Sequence, residues 1–179
     1  MKPRYVAFIP LGGFALLVAL FALPLLKGTD PSLVPSVMVG KHVRPFALDA
    51  ALKDKPGFSD KDLAAGPVLV NFFSSWCLTC GAEHKLLTRI AAEEKVPIYG
   101  VDYKDKRPDV EAWLGRHGDP YKAVGFDADG RIAIDWGVYG VPETYVVGPD
   151  GAVVFRFVGA MTDEDYKNII KPRLEALQK

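Results

Sequence analysis

Hydrophobic and polar positions divide the chain into an uncharged opening and a patterned remainder. Residues 6–26, VAFIPLGGFALLVALFALPLL, are 21 consecutive positions without a charge. An α-helix rises about 1.5 Å per residue, so this run is long enough for a hydrocarbon core about 30 Å thick. Lys2 and Arg4 precede it and a lone Lys27 follows. By the positive-inside rule that asymmetry leaves the rest of the chain on the far side of the membrane. A cleaved signal peptide has an apolar core of about 7–15 residues and a small-x-small site, whereas this run ends LPLLKGTD. An uncleaved anchor over 1–27 is therefore expected, with cleavage as the lesser alternative. GTDPSLVPS at 28–36 reads as a linker, which leaves 37–179 as one domain.

Within that domain VLVNFF, residues 68–73, is an unbroken apolar run of the kind a strand covered on both faces carries. From Thr79 to Glu94, Leu86, Leu87, Ile90 and Ala91 recur at helical spacing. IYGVDY at 98–103 predicts a second strand. DVEAWLGRHG at 109–118 predicts a second helix, begun by Pro108 and stopped by Gly118. Strand, helix, strand and helix in that order make a crossover unit with a parallel strand pair. ETYVV (143–147) and AVVFRFV (152–158) flank GPDG, the signature of an antiparallel hairpin. A last helix follows, with Thr162 and Asp165 as a capping box and Tyr166, Ile169, Ile170, Leu174 and Leu177 as its apolar stripe; Pro172 should kink it. The expected fold is α/β and thioredoxin-like, a mixed central sheet flanked by helices, with VMVGKHVRPFAL as an N-terminal β extension and a transmembrane helix before it.

Composition narrows the functional classes. The 22 basic and 22 acidic residues cancel, which leaves no electrostatic footprint for nucleic acid. Two cysteines are too few for a disulfide-stapled scaffold. They are Cys77 and Cys80, in WCLTC, where the first strand hands over to the first helix. A cysteine at a helix N-terminus faces unpaired N–H groups and the positive end of the helix dipole, and both favour thiolate. Cys77 is then the nucleophile of disulfide exchange, and Cys80, one turn deeper, resolves the mixed disulfide. Other uses of the pair stay open in principle. Zinc would need two more ligands, with His84, His42 and His117 the candidates. Covalent haem attachment would need a histidine where Gly81 stands. An inert disulfide closing so short a loop would stabilise little.

WCLTCGAEH (76–84), GVDYKD (100–105) and above all DWGVYGVPETYVV (135–147) resemble the thioredoxin superfamily and, within it, the membrane-anchored CcmG or DsbE family of cytochrome c maturation. The likeness runs from about Val34 to the end, with the anchor in addition. It implies a thiol:disulfide oxidoreductase without a cofactor. Cys77 and Cys80 match the redox pair, and Pro142 the proline that is cis throughout the superfamily, which would expose the Val141 backbone to a substrate strand. Glu83 and Glu143 match acidic residues that tune the thiols, and Glu143, next to Pro142, is grouped with Trp76 and Val141 as substrate-binding, although either acid could equally be an ordinary solvated carboxylate. Trp76 matches the aromatic flank of the exposed cysteine, and His84 is expected on the helix surface. The implied partners are apocytochrome c or a haem-delivery protein as substrate and a DsbD-type membrane electron donor. The other readings are a general periplasmic reductase, an anchored copper or other soft-metal carrier, and a tethered module without turnover. Asn71 stands where thioredoxins place a buried aspartate, the Leu-Thr dipeptide where relatives often have a proline, and Asp102 where the family tends to a neutral residue.

Overall fold

The computed structural model describes residues 8–26, 36–94 and 96–178. The chain divides into two compact units, Met1–Pro35 and Ser36–Lys179. In the first, α1 (Phe8–Leu26) is a charge-free helix of 19 residues, and Ile9, Leu11, Phe14, Leu16 and Leu17 are each more than half exposed. Among the described residues no helix is long and apolar enough to cross a membrane. Lys2, Arg4, the first two residues of the 21-residue run, Lys27 and all of the 28–36 linker except Ser36 lie outside the described residues.

The second unit is built on a five-stranded sheet in the order β5-β4-β3-β6-β7. Its centre is β3 (Val68–Phe73), buried at all six positions, the polar Asn71 among them. β4 (Ile98–Tyr103) and β5 (Ala123–Asp127) continue the sheet in parallel on one side. β6 (Glu143–Val147) and β7 (Val153–Val158) continue it antiparallel on the other. α2 (Leu78–Arg89) runs on through a π-helical turn (Ile90–Glu94), and α3 (Arg107–His117) ends at Gly118, whose φ of 91° suits a residue without Cβ. Because the crossovers step β3 to β4 to β5 in one direction, right-handed connection puts α2 and α3 on the same face. Leu86, Leu87, Ile90, Val110, Trp113 and Leu114 accordingly share one core with Leu69 and Phe73. Each such fully buried aliphatic or aromatic side chain contributes about 1.5–3 kcal/mol.

Two elements escaped the pattern of the sequence, β5 and α4 (Arg131–Trp136). The sheet has three parallel strands, where the periodicity pointed to two. AVGFD is five residues around a glycine and RIAIDW is under two turns, too short for either period to register. Gly125 of β5 is required by close approach, since a Cβ there would lie 2.6 Å from the Leu48 side chain. The N-terminal extension is mostly irregular: β1 (Ala47–Leu48) pairs with β2 (Phe58–Ser59), and single bridges tie Ala50 to Gly125 and His42 to Ala152.

The capping box of Thr162 and Asp165 is formed at the start of α5 (Asp163–Asp165). The kink expected at Pro172 takes the form of a π turn (Tyr166–Ile170) leading into α6 (Lys171–Leu177), a wider turn ahead of a residue with no N–H to give.

Candidate active site

Cys77 and Cys80 form a disulfide, S–S 2.08 Å, where β3 gives way to α2. Cys77 is the N-cap of α2, and its Sγ accepts from the Cys80 backbone N–H at 3.1 Å and faces the Thr79 hydroxyl at 3.5 Å. That sulfur therefore sits where a negative charge gains most from unpaired N–H groups and the helix dipole. Four bonds brace the approach to Cys77 against the end of β4 and the loop that follows it. The Ser74 hydroxyl donates to the Tyr103 carbonyl, the Ser75 N–H and hydroxyl donate to the Asp105 carboxylate, and the Trp76 indole donates to the Lys104 carbonyl.

On the opposite side of the disulfide the Val141–Pro142 peptide is cis, and the Val141 carbonyl lies 3.5 Å from Cys77 Sγ. This loop is held from beneath by Glu143. Its carboxylate takes a two-pronged grip from Arg156 (Nε–Oε2 2.7 Å, Nη2–Oε1 3.0 Å), a bond from the Tyr145 hydroxyl and one from the Tyr139 N–H. Glu143 is 0 % exposed. Expected as a substrate-contacting or solvated acid, it is instead buried below the loop that substrate would meet. The solvent-facing rim is apolar: Trp76, Leu78 and Tyr139 are 59, 92 and 53 % exposed.

Glu83, one helical turn past Cys80, is likewise buried and not solvated. Oε1 accepts from Asn71 Nδ2 and Oε2 from the Met161 N–H, both at 2.8 Å. Asn71 is fixed in turn, donating to the Thr144 hydroxyl and accepting from the Tyr121 hydroxyl at 2.8 Å. All of Glu83's partners are neutral, so burial dominates and pushes its carboxyl up to about 7, against the lowering effect of the two bonds. It can give or take a proton near neutrality, one helical turn along α2 from Cys80.

His84 corrects an expectation. It is 1 % exposed, with Nε2 2.7 Å from the Gly118 carbonyl and its ring edge-on to Trp113, because the end of α3 packs over this turn of α2. Burial lowers its pKa, so it is a neutral core group. The structure thus brings Trp76, Cys77, Cys80, Glu83, Val141 and Pro142 together around the disulfide, with Glu143 as support. Sequence reasoning missed Arg156, Tyr121, Asp105 and Ser75. A lone arginine inside the apolar run AVVFRFV was a signal that an inward partner existed; Tyr121 carried none.

A redoxin family model matches residues 38–170. The chain is 40% identical over 168 residues to the thiol:disulfide interchange protein DsbE homolog of Paracoccus denitrificans, covering 93% of this chain and 92% of that one. It is 36% identical over 177 residues to DsbE of Vibrio cholerae, covering 97% and 96%. This chain belongs to the DsbE family. A crystal structure of a protein assigned as DsbE from Chlorobium tepidum superposes with a TM-score of 0.68 at 24% identity, over 78% of this chain and 97% of that one, which bears on the fold alone. The DsbE relationship and the disulfide at the helix N-terminus identify the chemistry as dithiol–disulfide exchange, with Cys77 and Cys80 as the reacting pair.

Proposed function

We propose that the chain is a membrane-anchored, periplasm-facing reductant in cytochrome c maturation. It breaks a disulfide in apocytochrome c, or in a haem-delivery partner, so that the thiols are free for thioether formation. The observation that carries the substrate side is the apposition of an exposed apolar rim, the Val141 carbonyl and Cys77. An extended peptide pairing with the cis-proline loop brings its own disulfide to the Cys77 sulfur. The GVYGVPET sequence and the DsbE relatives support the narrow role. The charge-free 21-residue run behind Lys2 and Arg4 supports the anchor and its orientation. In an oxidising compartment the dithiol stays reduced only while electrons are supplied, so a donor of the DsbD type belongs to the cycle. The soft-metal reading finds no cluster of three or more metal-ligating residues among those described.

The test is the midpoint potential of the Cys77–Cys80 couple by equilibration with glutathione, together with capture of an apocytochrome by the Cys80→Ser variant as a mixed disulfide. A potential at or below roughly −200 mV with capture of a Cys-x-x-Cys-His apoprotein supports the reading. A potential near about −120 mV, that of a strong oxidant, sinks it. A low potential with indiscriminate capture would favour a general reductase.

A further inference from the structure

Among the described residues one buried side chain has polar atoms without any hydrogen-bond partner, and it is Asp102, at both carboxyl oxygens. It is 0 % exposed, near the end of β4, in register with Phe73 of β3 and Phe126 of β5. Strand alternation places it on the α2 face of the sheet, with Asn71 and Phe73. Four groups bear on it. Asp105 comes from the loop after β4, Arg107 from the start of α3, Asp127 from the end of β5 and the Tyr121 phenol from the segment before β5. Asp105 accepts from Ser75 and the Lys106 N–H, and Asp127 from the Ile132 and Ala133 N–H groups. Neither supplies a donor to an ionised Asp102, while Asp105 offers an acceptor to its protonated form.

A carboxylate in that position has no donor and faces two like charges, whereas a carboxylic acid is neutral. Burial first, and then the charge of Asp105 and a hydrogen bond from the protonated carboxyl to it, push the Asp102 carboxyl up to about 9 against the opposing pull of Arg107, with the charge of Asp127 adding to the rise. Asn71 cannot fill this role, since its amide has no titrating proton. Asp102 is also linked to the redox site by chain geometry. Its β3 neighbour Phe73 runs directly into Ser74, Ser75, Trp76 and Cys77, Phe73 and Cys77 share one buried cluster, and Asp105 grips Ser75.

We propose that Asp102 is a proton-holding residue of the disulfide exchange, a buried acid beneath the Cys77 loop that binds its proton more tightly once the disulfide has been reduced. It rests on the dithiol–disulfide chemistry alone and not on the substrate or the direction of electron flow. When two glutathione thiols reduce the protein, the Cys77–Cys80 bond breaks and glutathione disulfide forms. The electron pair then resides on the two cysteine sulfurs. Cys80 takes one of the two protons released by glutathione, and in alkaline solution Cys77 remains a thiolate. That new charge lies at the end of the short segment that leaves β3 next to Asp102. Ionising Asp102 then costs more, so over a window of pH reduction takes up one additional proton.

The experiment is the glutathione equilibrium of the full-length chain from pH 6 to 10, for the wild type, Asp102→Asn and Glu83→Gln. The ratio of wild-type to Asp102→Asn reduction constants should be level near pH 7 and fall by about tenfold towards pH 10, about 30 mV for this two-electron couple. Glu83→Gln should keep that alkaline fall. A ratio that stays flat to pH 10 overturns the proposal. The carboxyl carbon resonance of Asp102 in the wild type gives a second reading that needs no variant. It should titrate well above 7 in the oxidised protein and higher still in the reduced one. Titration in the ordinary carboxylate range, or at one midpoint in both redox states, overturns it equally. Neither result depends on which protein is reduced, so a failure of the cytochrome assignment would be seen separately.

Discussion

Glu83, on the helix that starts at the redox disulfide, and Glu143, on the strand that follows the cis-proline, are both buried. Glu83 meets an asparagine amide and a backbone N–H, while Glu143 meets a guanidinium that is itself only 4 % exposed at its side chain. Burial is common to the two, so the partner decides what each carboxyl does. With neutral partners the Glu83 carboxyl is pushed up to about 7, so it can exchange a proton near neutrality. With a full opposite charge Glu143 is locked into architecture, fixing Tyr139 and the cis-proline loop from below. Asp102, whose carboxyl oxygens meet no donor, extends the series to a carboxyl held neutral.

The largest effect should come from breaking the charged pair. Arg156→Met leaves Glu143 buried without its counter-charge, which should cost about 3–5 kcal/mol in urea unfolding. Adding Glu143→Leu should recover most of that loss. If the single variant loses under about 1 kcal/mol, Glu143 is not held as the geometry indicates.

The neutral-partner side should reveal itself through pH. A carboxyl raised from its ordinary value of 4.5 to about 7 keeps its proton in the folded state while the unfolded chain has released it. Stability is therefore full below about pH 4.5, falls as pH rises towards 7 and then levels, by roughly 3 kcal/mol in all. Glu83→Gln should remove that slope, together with any step near pH 7 in the exchange rate. A stability profile unchanged between pH 4.5 and 7 would place the titrating group elsewhere.

Tyr121→Phe deletes the donor to Asn71 Oδ1 and leaves a buried carbonyl oxygen unpaired, a cost of about 1–3 kcal/mol. It should also shift the Glu83 midpoint, because the Asn71 amide loses the bond that orients it. The smallest effect on folding belongs to the rim. Leu78→Ala at a side chain 92 % exposed should change stability by less than about 0.5 kcal/mol. It should nevertheless raise KM for a disulfide peptide several-fold, and an unchanged KM would remove Leu78 from the docking surface.

Much of this site could be read along the chain. The placement of Cys77 followed from an apolar strand and the helical spacing after it, both local patterns, and Pro142 and Glu83 followed from motif resemblance. What those patterns could not carry was burial of the polar groups. Glu83, His84 and Glu143 are residue types that are exposed in most settings, and each is covered here by an element distant in sequence: Met161 for Glu83, Gly118 for His84, Arg156 for Glu143. β5 and α4 were invisible for a different reason, since each is shorter than the window in which its period can be recognised.

By itself the sequence determined the order of strands and helices around Cys77, and the charge-free opening run, because strand period, helix period and chain length are properties of neighbouring residues. Only the tertiary structure decided which of three acids would face a guanidinium, which would face neutral amides and which would face no donor. That choice depends on contacts across the sheet and between elements up to 78 positions apart, as with Glu83 and Met161. The charge state of a buried carboxyl is set by what is packed against it, and no local pattern records that.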